Sequence, residues 1–385
     1  MSSRPEDLRI RNTSKIVKTL IINPNLSRVE LARKLNLTKT TISSIINKLI
    51  SLGIVEEIEK DNSGSIGKSP VPLRIKSDAA SVIGIGLERK DTSGVLLNPD
   101  GKVLESIIIH ESNQKKEDAT KNLLKVIEIM LSKAHEHGIE PNAIGIGAPG
   151  PIDEKAGVIY SPSGLPDWEN FNVAQIAQDA FNRKTYLIND ADGGALAERF
   201  FGNGKELSSF VDIFFDEGIG CGIVLDGEIY RGAFGYSGEF DYLAFLGKSV
   251  GKGEDYFSLE KVLSELHIFL GKNQLQFGSS DIKEYLENSK NMEAKKKFEE
   301  IYTELGRIAS IISNLIGPEA VIVSGRMIEL GELFMKPFKD VFFKLQFGRE
   351  KKVRLIKGAF PQNITYAIGA ATNALLNHVI EKSIA

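Results

Sequence analysis

Apolar residues Ile16, Val17, Leu20 and Ile21 fall on one helical face, so the pattern predicts a helix from Ser14 to Ile22, stopped by Asn23-Pro24-Asn25. Ser27 followed three residues later by Glu30 reads as a capping box opening a second helix that runs to Leu35, with Val29, Leu31, Ala32 and Leu35 turned inward. A short turn at Asn36-Leu37 leads to Thr38, the cap of a third helix. Its buried stripe is Ile42, Ile45, Ile46, Leu49 and Ile50, and Gly53 ends it. Ile54–Ile58 and Val71–Ile75 then alternate as two strands around a polar turn. The order predicts a helix-turn-helix followed by a β-hairpin wing.

Beyond Ala80 the pattern changes. Short apolar strands are expected at Val82–Leu87, Val95–Leu97 and Val103–Ile109, a helix over Glu117–His137, and a buried strand at Ala143–Gly147. A second strand–turn–strand follows: Phe210–Phe215, a glycine-rich turn Gly218–Gly222, and Ile223–Leu225 closed by Asp226-Gly227. The first unit is closed by Asp100-Gly101, so the body carries an internal echo within an α/β pattern.

Charge sharpens the division. Residues 1–76 hold 14 basic and 7 acidic side chains, whereas the rest of the 385-residue chain is net acidic. A basic head on an acidic body suits a polyanion reader joined to a module with other work. The outer face of the third helix presents Lys39, Thr40, Thr41, Ser43, Ser44, Asn47 and Lys48, none of them acidic. Hydroxyls, amides and cations of this kind meet base edges and phosphates in a major groove, and Arg28, Thr38 and the wing residue Lys68 are further candidate DNA contacts. A three-helix protein-interaction module would share the helices, but an ordinary solvated face mixes in carboxylates. The single cysteine, Cys221, excludes an intramolecular disulfide framework and a cysteine-based zinc site. No membrane span or signal peptide is expected, so the chain is read as cytoplasmic.

The segments Gly145-Ile-Gly-Ala-Pro-Gly-Pro-Ile-Asp153, Asn189-Asp190-Ala191 with Glu198, Gly220-Cys-Gly-Ile223, Gly238-Glu239 and Ile368-Gly-Ala-Ala371 resemble, in order and spacing, the ROK family of repressors and sugar kinases. The basic head is similar to that family's repressor branch of xylose and N-acetylglucosamine type. The resemblance implies an α/β protein with a winged helix-turn-helix at 1–76 and a two-lobed, actin-like (ribonuclease-H-like) sugar-kinase fold. Lobe 1 would span 77–190, rejoined by a C-terminal helix at 364–385, and lobe 2 would span 191–363. It also implies sugar contacts from Asn189, Asp190, Glu239, Tyr242 and Glu260, with Asp190 the general base of a kinase. Asn189 and Asp190 could instead simply cap the helix that follows them.

The sequence departs from the kinase pattern at both phosphate hairpins. Where kinases resemble Asp-x-Gly-x-Thr, this chain has Gly84-Ile85-Gly86-Leu87-Glu88-Arg89-Lys90, with no Asp or Thr and Glu88 where a small residue is wanted, and where they have Gly-Thr-Gly it has Asp216-Glu217-Gly218. Two carboxylates facing a triphosphate at about 4 Å would each repel it by about 1–4 kcal/mol. The family's zinc cysteines are missing, Tyr242 stands in the histidine position, and Gly164 stands where many members have Asn. The expectation is therefore no zinc, no ATP–magnesium and no catalytic residue. It is a sugar-responsive repressor of carbohydrate-utilisation genes, a homodimer or dimer of dimers that binds operator DNA and a sugar effector. A sugar kinase of glucose or N-acetylglucosamine type that kept a DNA-binding head is one alternative. A constitutive DNA-binding protein with a vestigial pocket is the other.

Overall fold

The computed structural model describes residues 5–58, 70–162, 164–216, 218–239, 283, 287, 292–348, 352–361 and 363–384. The chain forms two compact units: one comprises residues 1–193 and 364–385, the other residues 194–363. Among the described residues no helix is long and apolar enough to cross a membrane.

The first unit begins with α1 (Pro5–Ile22), β1 (Leu26–Ser27), α2 (Arg28–Leu35), α3 (Lys39–Ser51), β2 (Val55–Glu57) and β3 (Pro72–Ile75). Helix α1 starts nine residues before the expected Ser14. Pro5 sits at its first position, where a missing N–H costs nothing. The added turns were hidden because Leu8 and Ile10 are exposed and make no stripe. Val29, expected inside, is 44% exposed, because the capping box turns the first turn of α2 outward. The wing gains a third strand: β1 pairs with β3, giving the order β1-β3-β2.

After a single turn, α4 (Ser77–Ala80), come β4 (Val82–Leu87), β5 (Thr92–Leu97), β6 (Val103–Ile109), α5 (Lys116–Glu136), β7 (Ala143–Ala148), the small β8 (Ile152–Asp153) and β9 (Val158–Ile159), α6 (Val173–Phe181), β10 (Thr185–Asn189) and α7 (Asp190–Phe201). The main sheet has the order β10-β7-β4-β5-β6, with β10, β7 and β4 parallel and β5 and β6 antiparallel. One face is filled by a core of Ile83, Leu96, Leu123, Ile127, Ile146 and Trp168.

The other face carries α10 (Thr365–Ile384). A Cβ on Gly84 or Gly145 would run into the backbone carbonyls of Ala367 and Ala370 on that helix. The paired glycines of β4 and β7 thus let a helix lie directly on the sheet, in contact through small residues on both sides. Helix α10 also packs against α1, so it joins the head to the sheet.

The second unit repeats the plan. Its strands β11 (Phe210–Phe215), β12 (Ile219–Leu225), β13 (Glu228–Ile229), β14 (Ala320–Ser324) and β15 (Arg354–Lys357) form a sheet ordered β13-β12-β11-β14-β15, covered by α8 (Met292–Ile316) and α9 (Glu332–Lys344). The first three strands are antiparallel neighbours and the last two run parallel to β11, matching the first sheet strand for strand. The internal echo in the sequence is therefore a structural duplication. Gly220, Cys221 and Gly222 are not a turn: they lie inside β12, opposite Phe214, Ile213 and Asp212. Cross-strand pairing with the bulky β11 outweighs the turn propensity of the glycines. Phe215 meets Phe334 and Phe338 edge-on at 5.7 and 5.6 Å in the core.

Candidate functional site

The DNA-facing candidates are arranged by local capping chemistry. The Ser27 amide and hydroxyl donate to Glu30 at 2.8 and 2.6 Å, completing the box that starts α2. Asn36 takes a left-handed conformation (φ 51°), and Leu37 then donates its N–H to the Ala32 carbonyl. Thr38 Oγ1 accepts the Thr41 N–H at 3.1 Å and opens α3. Ile42, Ile45, Ile46 and Leu49 are buried, which leaves Lys39, Thr40, Ser44 and Asn47 exposed and Thr41, Ser43 and Lys48 partly so. Arg28 is committed within the head. It donates to Glu57 on β2 at 3.0 Å and to Asn47 on α3 at 2.8 Å, so one guanidinium fixes the wing against the third helix. Lys68 lies outside the described residues.

The sugar candidates of the first unit sit at the carboxyl ends of its parallel strands. This is the edge at which open α/β sheets bind ligands. Asn189 ends β10 beside Ala148 of β7, and Gly86 of β4 lies opposite Gly147. Asn189 Oδ1 accepts the N–H groups of Ala191 and Asp192 at 3.0 and 3.2 Å, while its Nδ2 donates to the Gly150 carbonyl at 3.3 Å. Asp190 Oδ1 accepts the Ala191 N–H at 2.8 Å. Both side chains therefore cap α7, and both remain partly exposed at the sheet edge.

A third contributor to this edge carried no sequence signal. Asn113, fully buried, grips the β4–β5 turn. Its Nδ2 lies within hydrogen-bond distance of the carbonyls of Glu88 (2.6 Å) and Asp91 (3.0 Å) and of Thr92 Oγ1 (2.9 Å), and its N–H donates to the Arg89 carbonyl at 2.9 Å. Its Oδ1 accepts from Asn122 Nδ2 on α5 at 2.9 Å, and its carbonyl accepts the Trp168 indole N–H at 2.8 Å. One buried amide thus joins the turn, a helix and the 164–168 loop.

In the second unit Glu239 is exposed, directly after Gly238, whereas Tyr242 and Glu260 lie outside the described residues. So do Glu217 and the loop where family zinc ligands would fall. Among the described residues no group of three or more His, Cys, Asp or Glu side chains is placed to hold a metal. Asp216, in the β11–β12 turn, is buried and accepts from Arg326 Nε at 2.5 Å. Arg326 lies just past the end of β14, so Asp216, expected to repel a triphosphate, is instead buried and paired within the fold. Asp212, fully buried on β11, accepts from Ser324 Oγ at 2.8 Å. Burial, reinforced by the nearby charge of Glu198, pushes its carboxyl well above the ordinary range. Burial raises Glu198 too, although the N–H groups of Ala359 and Asn203 donate to it at 2.6 and 2.7 Å.

Known proteins share this arrangement. The ROK family model matches residues 82–375, and a winged helix-turn-helix DNA-binding model matches residues 11–56. The xylose repressor of Caldicellulosiruptor bescii is 27% identical, covering 87% of this chain and 88% of its own. The xylose repressor of Bacillus subtilis is 26% identical over 83% of each chain. A solved ROK family transcriptional regulator, a homologue of the Escherichia coli Mlc protein, superposes with a TM-score of 0.80 at 20% identity, covering 98% of this chain and 99% of its own. The Streptomyces griseus ROK glucokinase, solved with glucose and an ATP analogue, covers only 76% of this chain (99% of its own; TM-score 0.66, 21% identity). With a family match over more than half its length and the duplicated sheets that go with it, this chain belongs to the ROK family.

Proposed function

We propose that the chain is a sugar-responsive transcriptional repressor of carbohydrate-utilisation genes. It works in the cytoplasm as a homodimer on operator DNA, with no zinc and no ATP–magnesium. The carrying observation is the exposed face of α3, with cations, hydroxyls and an amide but no carboxylate, held at a fixed angle by the Thr38 cap and the Arg28 bridge. Helix α3 enters the major groove, and the two heads of a dimer read two half-sites. The full-length xylose repressors support this reading, because their similarity spans head and body together.

The body supplies the sensing. Asn189, Asp190 and Glu239, with Tyr242 and Glu260, hold the hydroxyls of the effector, and a bound sugar shifts the spacing of the heads by favouring one state over another. The departure of the first hairpin from the kinase pattern, with Glu88-Arg89-Lys90 in place of its small residue and Thr, supports a sensor rather than a phosphotransferase. A coupled assay should detect no hexose-dependent ADP release.

The test is a duplex selected from a random library by the full chain, titrated by fluorescence anisotropy at several salt concentrations with and without sugars. Lys39→Ala and Lys48→Ala should each weaken binding and reduce the slope of log K against log salt by about 0.9 per head, about 1.8 for the dimer. Unchanged slopes in both would place α3 outside the groove, and affinity indifferent to every sugar would remove the sensing half of the reading.

A further inference from the structure

We propose that Asn47 is a base-reading residue of α3 whose choice of base is set by Arg28, and that it reads guanine rather than adenine in each half-site. This rests on the reading of the head as a DNA-binding module and adds the base that one of its side chains selects.

Asn47 lies three, four and seven residues beyond Ser44, Ser43 and Thr40, so all four stand on one stripe of the outer face of α3. Its side chain is exposed, yet one end of its amide is already taken. Arg28 Nη1, from the first turn of α2, donates to Asn47 Oδ1 at 2.8 Å. A guanidinium carries donors only, so the atom that meets it is the oxygen, and turning the amide over would set N–H against N–H.

Arg28 is itself held. Its Nη2 and Nε donate to Glu57 Oε1 on β2 at 3.0 and 3.3 Å, and its Nη1 reaches the Ser43 carbonyl at 3.5 Å. A wing strand thus fixes the guanidinium that fixes the amide. Among the described residues nothing accepts from Asn47 Nδ2. The head therefore engages the carbonyl and leaves two N–H groups open, both strengthened as donors because a cation polarises the amide.

The base edges of the major groove differ on this point. The usual contact of asparagine with adenine is bidentate: the oxygen accepts from N6–H2 while the nitrogen donates to N7. In Asn47 the oxygen is engaged by Arg28, so that pairing has to displace or share a charge-assisted bond. Guanine presents acceptors alone, at N7 and O6, and an amide NH2 suits both. Cytosine offers a donor, which the NH2 repels, and thymine a single acceptor beside its methyl group. Guanine is the base that uses what Arg28 leaves open.

The experiment is a base-by-base scan of the duplex selected by the full chain. Each base pair is replaced in turn, with matched changes in both half-sites, and the duplexes compete by fluorescence anisotropy at one salt concentration. The full-length parent is compared with Asn47→Ala, Arg28→Met and Asn47→Asp. The expected result is one position per half-site where the parent favours guanine over adenine by about ten-fold or more, and where Asn47→Ala brings all four bases within about two-fold. Arg28→Met keeps an apolar stem but releases the oxygen, so the guanine-to-adenine ratio should fall about ten-fold at that position and nowhere else. Asn47→Asp keeps an acceptor for Arg28 but removes the donors, so the preference should move to cytosine, whose N4–H2 a carboxylate accepts; this variant serves if Arg28→Met does not fold. Adenine preferred by the parent at that position, an equal loss on every duplex in Asn47→Ala, a ratio unchanged in Arg28→Met, or guanine still preferred by Asn47→Asp overturns the proposal. With the salt slope still reduced in Lys39→Ala and Lys48→Ala, those results leave the DNA-reading head intact. Unchanged slopes in both lysine variants, or no duplex selected at all, overturn the proposal and DNA reading by α3 together.

Discussion

The β4–β5 and β11–β12 turns occupy the same place in two sheets of identical strand order, yet they have diverged in opposite ways. The first turn carries Arg89 and Lys90 and is braced from behind by a neutral, fully buried amide. The second carries Asp216, whose charge is consumed by Arg326 from the neighbouring β14. Bracing by Asn113 engages backbone carbonyls, so it fixes the turn through its main chain. Pairing with Arg326 does the reverse. A duplicated hairpin can thus be fixed through its main chain in one copy and through a side chain in the other.

The sharpest way to break this contrast is to remove the brace. Asn113→Ala removes the side-chain bonds to the Glu88 and Asp91 carbonyls and to Thr92 Oγ1 and the acceptor of Asn122 Nδ2 in the interior, while the backbone bonds to Arg89 and Trp168 remain, at a cost of about 2–4 kcal/mol. Urea denaturation should show a lower midpoint in the first unit. A loss below about 1 kcal/mol would mean the turn holds its shape by itself.

Next in size is the second hairpin. Arg326→Ala removes the guanidinium that Asp216 accepts from, but the Arg326 side chain is 30% exposed, so the cost is set at about 1–3 kcal/mol rather than that of a fully buried pair. The double variant Arg326→Ala with Asp216→Ala should recover part of it, because the stranded charge is then gone. A double variant no better than the single one would show that Arg326 acts by packing alone.

The head was legible because its signals are local. The Ser27–Glu30 box, the Thr38 cap and the apolar stripe of α3 all act within a few residues, and each formed as read. The body was legible through motif order, and the capping of α7 by Asn189 and Asp190 is one of the two roles their sequence allowed. What escaped depends on distance along the chain. Arg326 is 110 residues from Asp216, Asn113 is 55 from Trp168, and Arg28 is 29 from Glu57. No periodicity or propensity links such pairs; only the fold brings them together. The glycines of β12 failed for a related reason, since their strand state is decided by the partner strand β11.

The smallest expected effect concerns the carboxyls behind the second hairpin. Asp212 is raised by burial and by Glu198, so the fold prefers it protonated. Its contribution to stability is complete below the ordinary carboxylate range and is lost as pH climbs through the raised value. Asp212→Asn keeps an oxygen to accept from Ser324 and cannot ionise. Thermal melts should therefore place the variant a few degrees above the parent at pH 8 and close to it at pH 4, where the parent is already neutral. Parallel melting curves across that range would mean Asp212 stays neutral at both ends, and a variant less stable at pH 8 would mean its charge is used. Either result would show that the second hairpin is closed by more than the Asp216–Arg326 pair.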